Sequence, residues 1–116
     1  MIAALTLLDD ALIAIADPTR RAILQRLSAG EARVTELAAP FPMSLNAVSK
    51  HIQVLERARL VSRRRAGREH LLSINPRGLD EASGWIDAQR AMWAGTLERL
   101  DAVLQAEDQR NKEDVR

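Results

Sequence analysis

Two groups of side chains in this sequence of 116 residues have types and spacings suited to chemistry. Asn46, Ser49, Lys50, Gln53 and Arg57 fall at i, i+3, i+4, i+7 and i+11, so a helix through them holds five polar groups on one face. A little later comes Arg63-Arg64-Arg65-Ala66-Gly67-Arg68, with four guanidinium groups in six positions. Guanidinium is a permanent cation whose planar fork of donors matches phosphate and carboxylate. The chemistry these groups share is noncovalent recognition of an anionic polymer.

Catalytic and metal chemistry lack their parts. Ser49 and His51 are two apart and point different ways on a helix, which makes a poor nucleophile and base. No glycine-rich phosphate loop is present. His51 and His70 are the only histidines, and neither belongs to a metal-ligand spacing; His70 reads as a packing or phosphate-facing residue. The absence of cysteine excludes disulfides, thiolate metal sites, iron–sulfur clusters and cysteine nucleophiles. The expectation is a protein that is not an enzyme and holds no metal and no cofactor.

Charge is sorted along the chain although the total is only +1. Between Ser44 and His70 seven basic residues face two acidic ones, a balance of +5. From Arg77 to Arg110 four basic residues face seven acidic ones, a balance of −3. A phosphate backbone attracts the first segment and not the second.

The elements that must position these groups follow from periodicity. Leu5, Leu8, Leu12 and Ile15 read as the apolar stripe of a first helix ending at Asp17. Asp17-Pro18 is a helix start, with Ala22, Ile23 and Leu27 turned inward and Gly30 as the stop. A short third helix spans Val34 to Ala38 and ends before Pro40 and Pro42. Ser44 caps a fourth, whose inward stripe is Leu45, Val48, Ile52 and Leu55. The period then changes to two, and Val61 to Arg65 and Glu69 to Ile74 read as a hairpin with glycine at the bend. Asn75, Pro76 and Gly78 break the strand. A long helix is expected from about Leu79 to about Ala106, with the segment 108–116 a frayed charged tail and 1–107 a single domain. Gly84 and Gly95 within that helix each cost about 1 kcal/mol relative to alanine, which suits either close approach of another backbone or a kink.

This order makes a mainly α fold with a small β-hairpin: a winged helix-turn-helix of about five helices. In that arrangement the fourth helix enters a major groove of double-stranded DNA and the hairpin lies along the backbone. Ser44, Asn46, Ser49, Lys50 and Gln53 present donors and acceptors to base edges or nearby phosphates. Arg63, Arg64, Arg65 and Arg68 supply counterion release, and Arg20 or Arg21 adds a backbone contact. Lys50 and Arg64 are each expected to contribute about one to the salt dependence of binding.

Asp17-Pro18-Thr19-Arg20-Arg21-Ala22-Ile23-Leu24, then Val48-Ser49-Lys50-His51-Ile52 through Leu55, then Leu60-Val61 before the basic hairpin, resemble the ArsR family of bacterial winged-helix repressors. The resemblance spans roughly residues 10 to 75. It implies a homodimer that represses transcription at operator DNA, a reading face from Ser44 through Ala47 to Gln53, and a place for His51 near the phosphates. Where metal sensors of the family carry paired cysteines, this chain has Glu36-Leu37-Ala38-Ala39, and its last helix has Asp80, Glu81 and Asp87 without histidine. Trp85, Arg90, Trp93, Leu97 and Leu100-Asp101 look instead like the metal-free subgroup.

Self-association also has a physical basis. A helix of about 28 residues with two tryptophans in its stripe outruns what about 75 other residues can cover. Leu5, Leu8 and Leu12 of the first helix, with Trp85, Ile86, Gln89, Trp93, Leu97, Leu100 and Leu104 of the last, are the expected dimer interface. Two-fold symmetry sets two reading helices about 34 Å apart and predicts an inverted-repeat operator. The competing reading is a protein-interaction scaffold that uses the long helix and has lost affinity for DNA; the arginine-rich hairpin argues against it. Asp9, Asp10 and Asp17 interrupt the apolar stretches, so no membrane span or signal peptide is expected and the location expected is cytoplasmic. The sequence names no small-molecule effector.

Overall fold

The computed structural model describes residues 2–114, with side chains over 7–114. Leu5 lies outside the residues whose side chains are described. Two compact units are formed, one through Ser83 and one from Gly84.

The first unit opens with α1 (Ile2–Ile15), which packs on α2 (Pro18–Leu27) and α4 (Leu45–Arg57). Its fully buried residues are Ala11 and Ala14, whereas Leu12 is 37% exposed and Leu8 and Ile15 are half-buried. The face turned to this core is therefore the alanine one, where small side chains let two helices approach closely, and Leu12 of the leucine stripe stays exposed. The Asp17 carboxylate caps α2 by accepting from the Arg20 amide at 2.9 Å, with Pro18 in the first turn. That backbone hydrogen bond holds the Asp17 carboxyl below the usual carboxylate range. A depressed folded value means the cap's stabilisation is fully present above the ordinary carboxylate pKa and is lost as pH falls below it, through the lowered folded value. Asp17→Ala is expected to cost about 1 kcal/mol at neutral pH, and the gap in melting temperature between variant and parent should close on acidification. A gap that persists in acid would show that the side chain acts otherwise.

Ile23 and Leu27 of α2 are buried, but Ala22 is exposed, against expectation, because it sits one position off the buried stripe. Gly30 leaves α2 with φ +137°, a conformation that favours glycine. A two-residue strand, β1 (Ala32–Arg33), precedes α3 (Val34–Ala38). Two residues carry no readable period, so this strand is absent from the sequence reading. It pairs with β3 (Glu69–Ile74), which also pairs with β2 (Val61–Ala66), in the antiparallel order β1-β3-β2. Ala66 pairs with Glu69 across the two-residue turn Gly67-Arg68, where only glycine has positive φ, +63°. That pattern suits a type II′ hairpin.

Ser44 Oγ accepts from the Ala47 amide at 3.1 Å and starts α4. Val48, Ile52 and Leu55 are fully buried, but Leu45, in the first turn of α4, is half exposed. At the other end the Leu60 amide donates to the Leu55 carbonyl and the Arg59 amide to that of Glu56. This is a Schellman closure with Arg59, φ +57°, where glycine is usual. Ile23, Leu37, Val48, Ile52, Leu55 and Leu72 are the largest fully buried side chains. Burial of each contributes about 1.5–3 kcal/mol.

The last helix, α5 (Pro76–Asp114), begins earlier and ends later than its periodicity suggests. Proline, read as a breaker, occupies the first turn, where it costs no hydrogen bond, and Asn75 Oδ1 accepts from the Arg77 amide at 3.0 Å. The charged segment from 108, expected as a frayed tail, is helical to Asp114, with Arg110–Glu107 and Lys112–Asp108 ion pairs one turn apart. In the second unit Trp85, Ile86, Trp93, Leu97, Leu100 and Leu104 are exposed on one face of the helix. A Cβ on Gly84 meets nothing within 4 Å, and one on Gly95 meets only the Arg99 guanidinium at 3.5 Å. Among the described residues, no backbone makes the close approach that would explain either glycine. No described helix is long and apolar enough to cross a membrane.

Candidate nucleic-acid interface

Burial of Val48, Ile52 and Leu55 fixes the rotation of α4 and leaves its polar series outside. Asn46, Lys50, Gln53 and Arg57 are exposed, and Ser49 is half-buried. Ala47 is half-buried too, and its amide is taken by Ser44 Oγ, which satisfies one open donor of the first turn. The face expected to read bases is thus a row of exposed amide and ammonium groups on the first unit.

Arg20 and His51 also make contacts within the protein. The Arg20 guanidinium donates through Nε to the Ala14 carbonyl at 2.8 Å and through Nη2 to that of Ile13 at 3.1 Å. Arg21 Nη1 donates to the Ile15 carbonyl at 2.9 Å. The two arginines satisfy the open carbonyls at the end of α1. Arg20 Nη1 also donates to His51 Nδ1 at 3.2 Å, with the Asp17 carboxylate 3.9 Å from that nitrogen. Arginine has no acceptor, so in this contact Nδ1 carries a lone pair. Arg20 thereby ties the end of α1 to the middle of α4 and is engaged inside the protein, and His51 is anchored by it.

The four hairpin arginines divide into two pairs. Arg63 reaches back to α4, where Nη2 meets Glu56 Oε1 at 2.7 Å and Nε lies 3.2 Å and 3.3 Å from the two oxygens. Arg64, on the opposite face of the strand, makes a two-pronged pair with Glu31: Nη2 to Oε1 at 2.7 Å and Nε to Oε2 at 2.8 Å. The hydrogen bonds from Arg64 hold the Glu31 carboxyl below the usual carboxylate range, and Glu31 pushes the guanidinium of Arg64 up. Arg65, by contrast, donates to the Gly67 carbonyl at 3.1 Å, and among the described residues neither it nor Arg68 at the turn has an acidic partner. Lys50 and Arg57 are likewise without an acidic partner among the described residues. Sequence reasoning missed Glu31 and Glu56. Glu56 enters the charge count, but its place beside Arg63 depends on the hairpin folding back on α4, and Glu31 is 33 residues from Arg64. Among the described residues no group of three or more His, Cys, Asp or Glu side chains is placed to hold a metal ion.

Known proteins are similar to this chain in sequence and fold. The chain is 49% identical over 71 residues to the HTH-type transcriptional regulator Rv2034 of Mycobacterium tuberculosis, covering 61% of this chain and 66% of that one. It is 34% identical over 73 residues to the transcriptional repressor SdpR of Bacillus subtilis, covering 63% of this chain and 81% of that one. The crystal structure of an ArsR family transcriptional regulator superposes with a TM-score of 0.73 at 38% identity, covering 77% of this chain and 92% of the other. The chain belongs to the ArsR family. A helix-turn-helix domain model matches residues 15–64, which contain α2, α3 and α4. The homodimeric winged helix-turn-helix DNA-binding domain from Mycobacterium bovis has a TM-score of 0.62 at 27% identity, covering 78% of this chain and 86% of that one. As an ArsR family member the chain is a winged helix-turn-helix transcriptional regulator, and its wing is the β2–β3 hairpin.

Proposed function

We propose that this ArsR family regulator is a homodimeric repressor that binds an inverted-repeat operator, with α4 in the major groove and the wing along the backbone. The observation that carries this reading is the exposed polar face of α4, with Lys50 and Arg57 unpaired among the described residues, on the same unit as a wing tip bearing Arg65 and Arg68. Asn46 and Gln53 discriminate bases, Ser49 and Lys50 contact bases or nearby phosphates, and Ser44, Ala47 and His51 position the helix. Arg65 and Arg68 take phosphates, with Arg63 and Arg64 behind them in ion pairs. Residues 1–107 act as one DNA-binding domain whose first and last helices carry the dimer contacts. The exposed apolar face of α5 and the homodimeric relative support the dimer, and the repressor relative supports the direction of control. The residues at the family's usual sensing positions, Glu36-Leu37-Ala38-Ala39 and a last helix without histidine, support control without metal at those sites.

The test is a gel shift with the DNA upstream of the chain's own coding sequence, with and without chelator, beside sedimentation of the protein alone. A dimer and a retarded complex that chelator leaves unchanged are expected. A monomer that ignores duplex DNA in dilute buffer overturns the reading, and a complex abolished by chelator overturns its metal-free part.

A further inference from the structure

The wing's charge is offset by two carboxylates that approach it from opposite sides. Arg63 and Arg64 are neighbours on β2 and project to opposite faces of the hairpin. Glu56, near the end of α4, meets Arg63, and Glu31, in the turn before β1, meets Arg64, each with its shortest contact at 2.7 Å. We propose that Glu31 and Glu56 are positioning residues that limit DNA affinity: they hold Arg64 and Arg63 in neutral pairs, so that the wing offers a phosphate backbone the charge of Arg65 and Arg68 alone.

This inference rests on the DNA-binding reading above, and its physics is counterion release. A cation releases a counterion from DNA only insofar as it neutralises a phosphate. An arginine already paired with a carboxylate presents no net charge. If its guanidinium turned to a phosphate, it would leave a carboxylate beside the same polyanion. Because the pairs are partly exposed, each adds little to folding stability. Their effect is therefore expected in binding. The Arg64 pair also has fork geometry, with two parallel bonds, which a single exchange of partner does not relieve.

The experiment measures binding of the full chain to a random-sequence duplex by fluorescence anisotropy across a salt series, for the parent, Glu31→Gln, Glu56→Gln and the double variant. Glutamine keeps the size and removes the charge. Each substitution is expected to steepen the slope of log K against log salt by about 0.9 and to tighten binding about eightfold at 0.1 M salt. Adding Arg64→Ala to Glu31→Gln should return the slope to the parent's value, because the cation released is then gone. A purely structural role for the glutamates predicts the reverse, a loosened wing with weaker binding and no steeper slope. A slope that is unchanged or shallower in variants that melt like the parent overturns the proposal while leaving DNA binding intact. A parent that does not bind the duplex at low salt overturns the DNA-binding reading itself.

Discussion

Gly78→Ala is expected to lower the unfolding free energy by about 3 kcal/mol, at the upper end of the usual cost of overpacking. Helix propensity alone predicts a gain of about 1 kcal/mol, since Gly78 lies in the first turns of α5. The surroundings reverse the sign. A Cβ at this position would overlap the Ala58 carbonyl oxygen and stand 2.9 Å from that of Arg59. Both are backbone atoms, so no side chain can swing aside. The Gly78 amide donates to the Arg59 carbonyl at 2.8 Å, and the Asn75 amide to that of Leu60 at 2.9 Å, so the start of α5 is laced to the exit of α4. Making room for one methyl group means separating these segments at Arg59, already in the left-handed region. Denaturant unfolding of Gly78→Ala beside Gly84→Ala is the measurement. Among the described residues nothing lies within 4 Å of a Cβ at Gly84, so its alanine variant should gain up to about 1 kcal/mol. An unchanged or raised midpoint for Gly78→Ala would mean that the two backbones separate at no cost.

Removing both wing-tip cations, in Arg65→Ala/Arg68→Ala, is expected to reduce the salt slope by about 1.8, or 0.9 for each lost phosphate contact. If the two contacts contribute nothing at 1 M salt, the same slope weakens binding roughly sixtyfold at 0.1 M. The loss should be nearly equal for operator and random duplex, because phosphate contacts position the protein without reading sequence. Stability should not change measurably, since both side chains are exposed and have no acidic partner among the described residues. Salt titrations on two duplexes decide it. A slope equal to the parent's would remove the wing tip from the interface, and a loss confined to the operator would make these arginines base readers.

The surroundings of Arg64 were not legible in the sequence. Four arginines in six positions identify a cationic hairpin correctly, and treating them as equivalent gives each one phosphate contact. The fold makes them unequal, because Arg63 and Arg64 alternate across a strand and find carboxylates contributed by α4 and by the turn before β1. Arg20 is a similar case. Its place in Asp17-Pro18-Thr19-Arg20 suggests an exposed cation early in a helix, whereas the end of α1 lies alongside and its open carbonyls claim the guanidinium.

Local chemistry was legible from residue order because it acts over a few residues. The Asp17 and Ser44 caps, the glycine of the hairpin turn, the buried triplet Val48, Ile52 and Leu55 and the polar face beside it all depend on neighbours within about one turn or one strand pair. Tertiary structure alone decided which face of α1 is buried, the addition of β1 to the sheet, the closeness of Gly78 to Ala58, and the pairing of Glu31 and Glu56 with the wing. Those outcomes join residues that are neighbours only once the core has closed, and periodicity along one segment holds no record of what another will bring to it.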